Sequence, residues 1–250
     1  MHIDVTTRAA AALLCGGALA LALAGCAGST PSSSPSGSDG MAAAEAPDCL
    51  PSGTQAVAIT GGGVSTNVAV AGGGAHGVVL APQNGGDWCQ WAGEAAHLVD
   101  EGYRVATFTW PGSGAEAGKA AMTAAVDALH QSGAQDVALV GASKGGTYAV
   151  AMADELGAVG VVALSPPSQF DGLDARSTSV SYTGPLLVMA SRDDPDVPRD
   201  DSYLVARPAD GPSFLEIPLA AHGVAMLKNK EHVEHVTFEI DDTLSRAFAD

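Results

Sequence analysis

From Gly77 to the C-terminus, short apolar runs bounded by glycine and polar turns alternate with segments of helical spacing. That alternation restricts the fold more than any other feature of the chain. Runs 77–81, 104–109, 136–141, 159–164, 185–190 and 213–218 read as buried strands. Segments 91–101, 116–131, 145–156 and 228–248 carry apolar residues at helical spacing, for example Trp91, Ala95 and Leu98, or Val236, Ile240 and Leu244. Strands that alternate with helices bury both faces of a mostly parallel sheet. Two earlier runs, 56–60 and 67–71, have no helix between them and predict an antiparallel hairpin or meander. The expected class is α/β, with a sheet of about eight strands and helices on both faces.

The N-terminus reads as an address. Arg8 precedes an apolar Ala/Leu-rich run from Ala9 to Ala24, too short and too glycine-rich for a comfortable membrane span but suited to a signal peptide. It ends in Leu23-Ala24-Gly25-Cys26, which resembles the lipobox of bacterial lipoproteins. That resemblance implies removal of residues 1–25, acylation of Cys26, and attachment to the outer face of the cell membrane without a spanning helix. Residues 26–47, rich in Ser, Gly and Pro, have little to bury and read as a flexible tether, so the folded domain is expected over 48–250.

In such a compartment Cys49 and Cys89, the pair left after Cys15 and Cys26, are expected to form a disulfide. The 28 acidic residues against 11 Lys and Arg give a net charge of -17, which disfavours nucleic-acid partners.

The chemistry concentrates in three places. Gly141-Ala142-Ser143-Lys144-Gly145 stands between a buried strand and a small-residue helix. In so glycine-rich a chain the bare Gly-x-Ser-x-Gly pattern arises by chance about 0.3 times, so its weight comes from the flanking strand and helix. A tight strand-to-helix turn would lift the Ser143 hydroxyl out at a helix N-terminus, where the helix dipole favours developing negative charge. An acidic turn, Asp193-Asp194-Pro195-Asp196, follows the run at 185–190, and His222 lies in the loop after 213–218.

Ser, Asp and His in that order, each just past a strand, resemble the α/β-hydrolase superfamily over nearly the whole domain. A serine hydroxyl needs a base to become a nucleophile, and His222 fills that role. A carboxylate must hold the other imidazole nitrogen. The superfamily spacing to Pro198 points to Asp194, with Asp193 as the competitor. The resemblance further implies an oxyanion hole built from the Lys144 N–H and a donor in the loop 81–87, where Gln83 and Asn84 are the candidates because Pro82 has no N–H. About 20 residues between Leu164 and Pro185 leave no room for a large cap domain.

The expected activity is that of a serine hydrolase acting on a small-molecule or lipid ester, with no metal and no organic cofactor. A non-catalytic binding module and an acyltransferase using Ser143 are the alternatives. The glycine run from Gly72 to Gly77 matches a dinucleotide-binding pattern, but a strand and not a helix follows it. Trp88 and Trp91 read either as pocket lining or as core. The sequence leaves acyl-chain length and oligomeric state open.

Overall fold

The apolar run 136–141 contains no polar residue after Asp136, so it suits a strand covered on both sides. In the computed structural model, which describes residues 40–61, 64–207 and 213–249, it becomes β6 (Asp136–Ala142), with every residue but the first buried. Around it lie β4 (His76–Ala81), β5 (Arg104–Phe108), β7 (Val161–Leu164), β10 (Leu186–Ser191) and β11 (Phe214–Ile217). These six strands pair in parallel. β2 (Gln55–Gly61) and β3 (Val64–Ala71) form the expected antiparallel pair, and β3 joins the sheet antiparallel to β5.

Among the described residues the sheet has nine strands, in the order β1-β2-β3-β5-β4-β6-β7-β10-β11. The additional strand is β1 (Gly40–Ala44), antiparallel to β2. Sequence placed these residues in the tether, because Met41 and three alanines carry no alternation that could signal a strand. Backbone pairing along an open sheet edge needs no such pattern. Residues 26–39 of the tether and the lipobox, including Cys26, lie outside the described residues.

Helices cover both faces. α1 (Ala92–Asp100) and α6 (Val233–Ala247) bury Leu98, Val236, Ile240 and Leu244 against one face of the sheet. α2 (Ala115–Ser132) and α3 (Lys144–Ala151) bury Met122, Leu129, Tyr148 and Val150 against the other. The connection from β7 to β10 holds a small hairpin, β8 (Gln169–Phe170) and β9 (Leu173–Asp174), then α4 (Ala175–Ser181), and contains no large cap. α5 (Arg199–Tyr203) follows β10. Among the described residues no helix is long and apolar enough to cross a membrane.

The strand order matters for the site. From β4 the chain crosses to β5 on one side, then returns to β6 on the other. The carboxyl ends of β4 and β6 therefore flank a topological switch point, where open α/β sheets leave a crevice for ligands.

Candidate active site

Ser143 sits at that switch point, between β6 and α3, with φ 51° and ψ -121°. A non-glycine residue rarely holds positive φ, and the strain persists only where the surroundings enforce it. Here they do. The Ser143 N–H donates to the Leu164 carbonyl at 2.8 Å, and its own carbonyl accepts from Thr147 at 3.0 Å. The flanking glycines let the turn close. A Cβ on Gly141 would collide with the Gly145 carbonyl, and one on Gly145 would stand 2.6 Å from the Pro82 carbonyl oxygen. The second contact also shows that the loop after β4 presses directly on the start of α3.

Asp194 and His222 come together although 28 residues separate them. Nδ1 of His222 lies 3.0 Å from each Asp194 carboxylate oxygen. Asp193 is exposed, and its N–H is bound to the Leu219 carbonyl, so the structure gives the imidazole to Asp194. Burial alone would push the Asp194 carboxyl up. Hydrogen bonds from His222, Ser165 and the Val197 and Asp196 amides outweigh it and hold the group below the usual carboxylate range.

The His222 loop reaches the Ser143 turn through its neighbour. Gly223 is so close to β6 that a Cβ there would lie 3.1 Å from the Ala142 side chain. Ser143 Oγ makes no hydrogen bond among the described residues. In unliganded hydrolases the nucleophile-to-base contact is commonly long and tightens on the substrate.

Of the oxyanion candidates, the Lys144 and Asn84 N–H groups have no acceptor among the described residues, whereas the Gln83 N–H donates to Gln90 Oε1 at 2.7 Å. Gln83 is thereby corrected: its backbone N–H is occupied, and of the two candidates in that loop the Asn84 N–H alone is left without an acceptor among the described residues.

Several residues at the site were invisible as functional positions in the sequence. Ser165, also at positive φ and fully buried, accepts from the Gly223 N–H at 3.2 Å and helps hold the Asp194 carboxyl below its usual range. Its place immediately after β7, at the carboxyl edge of the sheet, is the signal that could have found it. The Lys144 side chain is buried, paired with Asp171 Oδ2 at 3.1 Å and lying 4.5 Å from the centre of the Trp110 ring. Asp171 comes from the β8–β9 turn, in a segment that carries no strand or helix periodicity.

Trp91 proves to be core: it is buried and its indole N–H donates to the Ala81 carbonyl at the end of β4. Cys49 and Cys89 are joined as a disulfide, with Cα atoms 5.7 Å apart. Asp194, Asp196 and His222 could each offer one atom to a cation, all within 4.8 Å of one another. A cation there would compete with the imidazole for Asp194.

No protein-family model and no curated protein sequence matches the chain. Solved structures do. Est1E from Butyrivibrio proteoclasticus superposes with a TM-score of 0.64 at 16% identity, covering 78% of this chain and 99% of its own. The Pyrococcus furiosus esterase Pf2001 gives 0.67 at 17%, covering 78% and 91%. A monoacylglycerol lipase of Paleococcus ferrophilus gives 0.61 at 16%, covering 72% and 98%. At such identities the likeness concerns the backbone, and together with the strand order it shows that the chain has the α/β-hydrolase fold.

Proposed function

We propose that the chain is a serine hydrolase that cleaves carboxylic esters through an acyl-enzyme. The observation that carries this reading is the buried Asp194–His222 pair, set in the loop that packs on the strained turn bearing Ser143. The titles of several structural neighbours, esterases and a lipase, support the same substrate class.

In the first half-reaction His222 Nε2 takes the proton of Ser143 Oγ as the oxygen bonds to the ester carbonyl carbon. Asp194 fixes Nδ1–H as the donor toward itself and stabilises the imidazolium. The Lys144 and Asn84 N–H groups stabilise the resulting oxyanion. The imidazolium passes its proton to the departing alcohol, leaving an acyl-Ser143. Water, deprotonated by the same imidazole, releases the acid and restores the serine. A fluorophosphonate probe tests the reading: an adduct on Ser143, absent after heat denaturation and in Ser143→Ala, supports it. Wild-type protein that takes no label on Ser143 and hydrolyses no p-nitrophenyl ester overturns it.

The same proposal places the domain outside the cytoplasm, held by lipid on Cys26. The Leu23-Ala24-Gly25-Cys26 sequence and the disulfide support it. Cys26→Ala should move the protein from the membrane fraction to the soluble one; a protein that stays membrane-bound would contradict the anchor.

A further inference from the structure

Gln83 uses every polar group it has except its amide NH₂, and all of them inside the candidate site. Its N–H donates to Gln90 Oε1 at 2.7 Å. Its carbonyl accepts from the Trp110 indole N–H at 3.0 Å and from the Gly86 N–H at 2.9 Å. Its side-chain Oε1 accepts from the Val224 N–H at 3.0 Å, two residues beyond His222. The same oxygen would stand 2.8 Å from a Cβ on Gly223, so the glycine there leaves the amide room to pass.

Peptide planarity turns these bonds into orientation. In a trans peptide unit the C=O and N–H point in opposite directions. The Gln83 carbonyl and the Asn84 N–H belong to one unit. Holding the carbonyl on Trp110 and Gly86 therefore aims the Asn84 N–H the other way, where it meets no acceptor among the described residues. The preceding unit is fixed at both ends as well: the Pro82 carbonyl also accepts from Trp110 at 3.0 Å, and the Gln83 N–H is held by Gln90. This loop rests on the start of α3, which carries the Lys144 N–H.

We propose that Gln83 is a positioning residue that sets the oxyanion donor Asn84 N–H and the His222 loop in one fixed relation. The inference rests on the ester-hydrolase reading and deepens it. An oxyanion donor helps only if it is aimed before the carbonyl carbon becomes tetrahedral. The base must approach the same carbon from the nucleophile's side. One side chain that bonds both loops makes the two requirements a single geometry.

Gln83→Met keeps length and bulk and removes the acceptor to Val224. It should lower kcat about 30-fold with KM within about twofold, because what is lost is alignment in the transition state. Affinity for a boronic acid, which mimics the tetrahedral state, should fall by a similar factor. Trp110→Phe, which keeps a ring beside Lys144 but lacks the N–H, should give the same pattern to a smaller degree, and it decides the matter if Gln83→Met does not fold. Unchanged kcat in a folded Gln83→Met, or a rise in KM with boronate affinity unmoved, overturns the proposal. Ser143→Ala measured alongside separates the two failures. Full activity in that variant sinks the hydrolase reading and this inference with it, whereas an active wild type with silent Gln83→Met and Trp110→Phe sinks this inference alone.

Discussion

Among the described residues two of the carboxylate–imidazole pairs have nearly equal lengths, and only one lies at the candidate site. Asp194 and His222 meet at 3.0 Å with side chains 0% and 10% exposed. Asp241 and His97 meet at 2.9 Å with side chains 36% and 33% exposed, joining α6 to α1 on one face of the sheet. The first pair stands at the carboxyl ends of the strands, with two backbone hydrogen bonds on its carboxylate and a strained serine turn against its loop. The second has no serine in a strained turn beside it; its neighbour is Glu94, a buried carboxyl that burial pushes up to about 7. A histidine held by an acid is thus a common structural device. Location at the carboxyl edge of the sheet, in a loop that packs on the Ser143 turn, and a carboxylate fixed from several sides set the pair at the candidate site apart.

The largest test of that distinction removes the nucleophile or the base. Ser143→Ala and His222→Ala should each lower kcat by about 10⁴-fold with the melting temperature little changed. Asp194→Asn, which favours the wrong imidazole tautomer, should cost about 10³-fold or more in kcat, measured on the same ester. Ser165→Ala should cost about tenfold, because the acceptor that holds Gly223, next to His222, disappears, and the retained fold would show in its circular dichroism.

The second pair should answer to stability instead. Glu94 prefers its neutral form in the folded state, so stability declines as pH rises from about 4.5 toward 7, by at most about 3 kcal/mol. His97 acts in the same direction. Burial would lower it, but the hydrogen bond and charge of Asp241, with Glu94 and Glu101, raise it above the ordinary value. Its contribution is full below 6.5 and is lost as pH passes its raised value. Glu94→Gln should flatten the urea-midpoint profile between pH 5 and pH 8, with hydrolysis unaffected. Asp194 has the opposite sign: its contribution is present above 3.8 and is lost as pH falls through its lowered value. The smallest effect is expected of Asp241→Asn, a change in kcat of less than about twofold. A large loss there would erase the distinction between the two pairs.

Much of this was readable before any coordinates. The runs that became β4 to β7, β10 and β11 are apolar because both faces of a parallel sheet are covered, and that leaves a plain trace in sequence. The order Ser143, Asp194, His222 was legible because each follows a strand. What escaped depends on contacts that no local pattern encodes. β1 is held by backbone bonds to β2, Asp171 reaches Lys144 only once the β8–β9 turn folds over α3, and Ser165 joins the pair through Gly223. The Gln83 amide was read as a free donor because Gln90, seven residues later, could not be known to fold back onto it.

The Cys49–Cys89 bridge spans 40 residues that include β2, β3 and β4, and Cys89 adjoins the Gln90 that grips the loop after β4. A peptide bond cut anywhere inside that interval would leave two pieces still covalently joined. In the proposed extracytoplasmic setting, among proteases, a nick there is a scar and not an amputation.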